Sequence, residues 1–149
     1  MSLEDWEKNG WVIKHKTSPA EIADILAAVD RDLSTCRTPN LDTDWRFNIA
    51  YNAALQAATA ALAAAGYRAA REMHHYRVIM SLALTIGSDD EVIELLDRFR
   101  KKRNTGTYER AGVISDYEAG KMTNLAEKLR SRVLDWLREN HPDLLPKQK

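Results

Sequence analysis

The residues best equipped for chemistry gather in one stretch, RFRKKRNTGTYER at positions 98–110. Arg98, Arg100, Lys101, Lys102 and Arg103 are its leading cations, and Asn104 and Tyr108 follow around a Thr-Gly-Thr break. On a helix turning about 100° per residue, Val92, Leu96, Phe99 and Arg103 lie within about 40° of one another. Lys101 points nearly opposite, and Arg98, Arg100 and Lys102 fall on the flanks. The outer cations read as a solvated helix end, where the dipole favours positive charge. Arg103 instead continues the apolar stripe. A guanidinium aimed at a core must meet a carboxylate, a carbonyl or a ligand, because burying it alone costs too much. Asp44 is the internal candidate for that partner, and a phosphate is the external one. Arg100, Lys102 and Arg103 are the candidate nucleic-acid contacts.

Other groups carry less. Adjacent side chains on a helix diverge by about 100°, so His74 and His75 do not ligate one ion unaided. Neither HxxxH nor Cys-x-x-Cys accompanies them, and no metal or cofactor is expected. His75 reads as a hydrogen-bonded histidine at a helix interface. Asp89, Asp90 and Glu91 read as helix-start chemistry, not as paired acid catalysts. There is no glycine-rich phosphate loop, nucleophile elbow or evident Cys/His dyad. Trp45, Arg46, Asn48 and Asn52 sit beside an alanine-rich face and are placed with Asp44 near the Arg103 end. Asp44 and Asn48 are assigned there as supporting residues.

The elements that must position these groups all read as helices, because nowhere does polarity alternate over a strand length. The first opens at Ser18-Pro19-Ala20-Glu21, with serine as cap and proline at the first helical position. Ile22, Ile25, Leu26, Val29 and Leu33 form its stripe, and it stops before Thr38-Pro39. The second runs from about Asp42-Thr43-Asp44 to Gly66, carrying Tyr51, Leu55, Ala58 and Leu62. Its many alanines allow close approach on several sides, which suits a central position. The third carries His75, Ile79, Leu82 and Ile86, breaks near residue 88, and resumes with Val92, Leu96 and Phe99. Ser88 or Asp89 can cap the second half. The last opens at a Ser115-x-x-Glu118 cap, shows Met122, Leu125, Leu129, Val133 and Trp136, and ends at His141-Pro142.

These features predict an all-α, up-and-down four-helix bundle with no sheet. Residues 1–17 form an N-terminal extension docked by Trp6, Trp11 and Ile13, residues 18–141 the bundle, and 142–149 a frayed tail. A chain of 149 residues with 44% hydrophobic and 30% charged content suits one folded domain. Its formal net charge is zero, so any basic surface is local and no global field draws nucleic acid. The single cysteine, Cys36, excludes an internal disulfide and fits a reducing compartment. No apolar run reaches the roughly 18 residues of a membrane span, and the start has no signal-peptide order. A cytoplasmic protein away from membranes is expected.

The helix order, the segment FNIAYNAALQAATAALAAAGYRA, the following HHYRVIMSL and RKKRNTGTYER together resemble the HEPN domains of prokaryotes and eukaryotes, over about 18–140. Members of that family are compact helical bundles, often homodimeric. Their signature is an arginine, commonly followed by a polar residue, and a histidine a few residues on. Arg103 and Asn104 match its start, but Tyr108 stands where the histidine is expected. The resemblance implies metal-independent RNA cleavage at paired motifs meeting across a dimer. It assigns phosphate binding to Arg103 and makes Arg103, Asn104 and Tyr108 the site. It also implies a toxin–antitoxin or defence setting and a minimal nucleotidyltransferase as partner. A phenol of ordinary pKa, about 10, is a poor base near neutrality, though it can donate a hydrogen bond or stack on a base. The residues therefore leave two readings open. One is a ribonuclease or an RNA- or nucleotide-binding protein; the other is a non-catalytic interaction module or partner subunit.

Overall fold

The structure, a computed structural model, describes residues 1–108 and 114–146, with 105–108 described by backbone alone. It is mostly helical. In chain order the elements are α1 (Leu3–Lys8), β1 (Val12–Lys14), α2 (Pro19–Cys36), α3 (Thr43–Ala64), β2 (Tyr67–Ala69), α4 (His74–Ser81), α5 (Asp90–Tyr108) and α6 (Asp116–Asn140). A 3-10 turn at Pro142–Leu144 follows α6.

The helix starts obey the local chemistry. The Ser18 hydroxyl accepts the Glu21 amide with Pro19 opening α2. Ser115 and Glu118 close a reciprocal capping box on α6, each bond 3.1 Å. At the other end of α3, Gly66 takes a left-handed φ of 98°, the glycine conformation that turns a chain out of a helix.

Helix α3 is the axis of the fold. Phe47, Ala50, Tyr51, Ala53, Ala54, Ala57, Ala58, Ala60, Ala61 and Leu62 are all buried, so it is covered on nearly every side. Methyl side chains let α2 and α6 pack along it, while α4 and α5 touch it over shorter lengths. From α2 come Ile22, Val29 and Leu33, and from α6 Met122, Leu125, Leu129, Val133 and Leu137. Ile25, Leu26 and Trp136, also on the expected stripes, are half-buried against them. On the rim, Arg130 of α6 meets Asp30 of α2 at 2.5 Å, and Arg37 meets Glu127 at 2.9 Å.

Several expectations are corrected. A small antiparallel sheet is present, pairing Val12 with Ala69, Ile13 with Arg68 and Lys14 with Tyr67. Strands this short carry no readable alternation. Their inward face is Val12 and Ala69, so Ile13 points outward at 42% exposure and does not dock the extension. Trp6 does dock it, buried and set edge-on to Trp11 with centroids 5.8 Å apart.

The third helical stretch parts earlier than residue 88. Helix α4 stops at Ser81, and tight i to i−3 bonds carry the chain through Leu82, Ala83 and Leu84. Gly87, at φ 67°, precedes α5. Asp89 caps α5 by accepting the Val92 amide at 3.2 Å, whereas Ser88 is buried. In the expected tail, Leu144 and Leu145 are half-buried against the core. Among the described residues no helix is long and apolar enough to cross a membrane.

Candidate functional site

The C-terminal half of α5 sorts its cations by what each touches. Arg98 is exposed, and Lys101, also exposed, lies 3.4 Å from Asp97. Arg100 is 19% exposed, bonds Asp97 at 2.8 Å and rests 5.4 Å from the Tyr76 ring centroid. Lys102 reaches across to Glu118 on α6 at 2.6 Å. Arg100 and Lys102 are therefore not simply solvated: two acidic residues hold them against the protein. Burial pushes the Glu118 carboxyl up, but hydrogen bonds from Lys102 and Ser115 outweigh it and leave the pKa lowered.

Arg103 does turn inward. Half-buried, its guanidinium lies 5.3 Å from the centroid of Tyr51 on α3. This is a cation–π contact. The Tyr51 hydroxyl is 3.4 Å from Nδ1 of His75, the second residue of α4. Three elements thus bring an arginine, a phenol and an imidazole together.

Their protonation follows from that setting. Burial pushes Tyr51 up to about 12, against the pull of Arg103 and Arg100, so the phenol keeps its proton. Burial, followed by Arg103, His74 and Arg100, pushes the His75 pKa below its ordinary value of 6.5. His75 is therefore neutral at pH 7. The linkage sign is determined by the unfolded state, which binds a proton near the ordinary value while the folded state resists it. Stability should fall as pH drops below about 6.5 and level off below the folded pKa. Urea midpoints between pH 7.5 and 5.5 should fall less in His75→Gln than in wild type. Parallel curves would refute the shifted imidazole.

The other expected site residues are placed as follows. Asp44, Asn48 and Tyr51 follow one another at four- and three-residue spacing, one face of α3. Asp44 and Asn48 are both half-buried, and the Asn48 Oδ1 is itself covered. Asn104 is exposed. The Tyr108 side chain lies outside the described residues. Trp45 and Asn52 do not join Arg103: Trp45 is 63% exposed, and Asn52 turns to α2. There Asn52 and Gln56 donate to the buried Asp32 at 2.9 and 3.1 Å. Arg46 donates to the Leu41 carbonyl at 3.4 Å. Cys36 is buried, with burial and then Asp32 pushing its thiol up, which makes it unreactive.

Sequence reasoning assigned Tyr51 to the core stripe and His75 to an interface. Both placements hold, yet their meeting with Arg103 was not foreseen. The only sequence signal is that Tyr51, His75 and Arg103 each interrupt an apolar stripe with a polar group. Trp11 was expected only to dock the N-terminal extension, and Tyr76 and Arg77 were given no role.

Comparison of the chain with models of known protein families, with curated proteins and with solved structures gives no match.

Proposed function

We propose that the chain is a HEPN-like protein, an up-and-down four-helix bundle that pairs as a homodimer. It binds RNA or a nucleotide by its phosphate at a dimer-interface cleft containing Arg103, Asn104 and Tyr108. The observation that carries this reading is Arg103 itself, laid over Tyr51 beside a neutral His75. A guanidinium recognises a phosphate through its planar fork of N–H groups. Metal-independent cleavage of RNA is the activity to test. The family's motif histidine is replaced by Tyr108, but His75 supplies an imidazole from another helix. A neutral imidazole can take the proton of an attacking hydroxyl, and a protonated phenol can donate one. The setting implied by the resemblance is a toxin–antitoxin or defence system with a minimal nucleotidyltransferase partner.

A second reading has its own support. Arg100 and Lys102 are already paired with Asp97 and Glu118, as expected of a polar network in a non-catalytic interaction module or partner subunit. A cleavage assay in EDTA, comparing wild type with Arg103→Ala, separates the two. Activity that disappears in the variant supports the ribonuclease, and equal background in both removes it. Solution mass completes the test, since a monomer at high micromolar concentration would exclude a cleft shared between two copies.

A further inference from the structure

The contacts that surround Arg103 continue beyond it. Arg77 on α4 places its guanidinium 3.9 Å from the Trp11 centroid, 5.9 Å from Trp6 and 5.4 Å from Tyr76. Tyr76 also has Arg100 at 5.4 Å. Arg100 and Arg103 are one helical turn apart on α5, and Tyr76 adjoins His75, which touches Tyr51. Aromatic rings and guanidinium groups therefore alternate from the N-terminal segment across α4 to α5, in the order Trp11, Arg77, Tyr76, Arg100, with Arg103 and Tyr51 alongside.

Trp11, Tyr76, Arg77, Arg100 and Arg103 are each half-buried, so each keeps an accessible part. Asp97 is shared by Arg100 and Lys101, and among the described residues Arg77 has no carboxylate at ion-pair distance. A guanidinium carries a planar fork of N–H donors, and Arg77 sits closest to a ring, 3.9 Å from the Trp11 centroid. Phosphates take such donors, and unpaired bases take aromatic faces, which is how proteins hold single strands with little sequence preference. A duplex offers its phosphates but keeps its bases stacked inside.

We infer that this row is a binding tract for single-stranded RNA, running from Arg103 over Arg100, Tyr76 and Arg77 to Trp11, with the buried Tyr51 supporting Arg103 from beneath. The inference rests on the RNA-binding reading above and extends it to α4 and the N-terminal segment.

The test is fluorescence anisotropy of the full chain with a labelled single-stranded RNA of about ten nucleotides, within the range that single-strand-binding proteins cover. The same sequence as a duplex and a labelled mononucleotide serve as comparisons. The single strand should bind at least tenfold more tightly than either. Arg77→Ala should weaken strand binding severalfold and reduce the slope of log affinity against log salt by about 0.7, one phosphate contact. Because Arg77 also packs the N-terminal segment, wild-type tryptophan emission provides a readout that needs no Arg77 variant. Emission should change at saturation, and Trp11→Phe should lose that change.

If neither wild-type binding nor an effect of Arg103→Ala is seen, the RNA cleft itself is wrong. If Arg103→Ala weakens binding while Arg77→Ala leaves affinity and slope unchanged, the cleft stands and the tract is overturned. The tract is likewise overturned by equal affinity for duplex or mononucleotide, or by unchanged wild-type emission at saturation.

Discussion

Phe47→Ala is expected to remove about 3–5 kcal/mol of folding stability, the usual cost of deleting a fully buried aromatic ring. Phe47 on α3 has no exposed surface and meets Phe99 of α5 edge-on, centroids 5.3 Å apart at 88°. Beside it on α3 are Ala50 and Ala54, whose methyl groups have no rotamers with which to fill the hole. The cavity should therefore persist. Against a total stability on the order of 5–15 kcal/mol, the loss is large. In urea the midpoint should drop with the slope unchanged, and Phe47→Leu should fall between the two. A loss below about 1 kcal/mol, the lower end of ordinary core truncations, would mean that α5 does not lean on α3 through this pair. Phe99 precedes Arg103 by one helical turn, so the same contact fixes the height of the guanidinium.

Arg103→Ala should weaken RNA binding by roughly tenfold to a hundredfold. A charge-assisted hydrogen bond is worth about 1.5–3 kcal/mol, and about 1.4 kcal/mol is a factor of ten. The effect on folding should be smaller, about 0.5–2 kcal/mol for the lost contact with Tyr51. That difference makes the variant informative: it should remain folded while binding more weakly. Arg103→Lys retains the charge but loses the planar fork of donors. It should keep the salt dependence of wild type yet recover only part of the affinity. Full recovery by lysine would reduce Arg103 to a point charge, and no loss with alanine would remove it from the site.

Much of the helical order was legible locally. Serine caps at 18 and 115, Pro19 and the stripes of α2 and α6 announce themselves because capping and amphipathic periods involve neighbouring residues. The burial of α3 was equally legible from its alanines. The sheet was not, since Val12 and Ala69 are distant in sequence and each strand offers only one inward residue. Nor was the end of α4 at Ser81: Leu82 and Ile86 continue a helical spacing that the chain satisfies with tight turns instead.

At the candidate site, position and partnership part company in the same way. The sequence by itself determined that Arg103 lies on the inward side of its helix, through the angular spacing from Val92, Leu96 and Phe99. It also determined that Asn104 and a tyrosine follow where a family motif would have a histidine. Tertiary structure alone decided that the arginine lies on Tyr51, that His75 stands beside them, and that Arg77 joins Trp11 to Tyr76. A helix's rotation determines where a side chain points, but the group it meets depends on how distant segments close on one another. Here that closure follows from alanines on α3 that let other helices approach, and from a long-range strand pairing that no local pattern records.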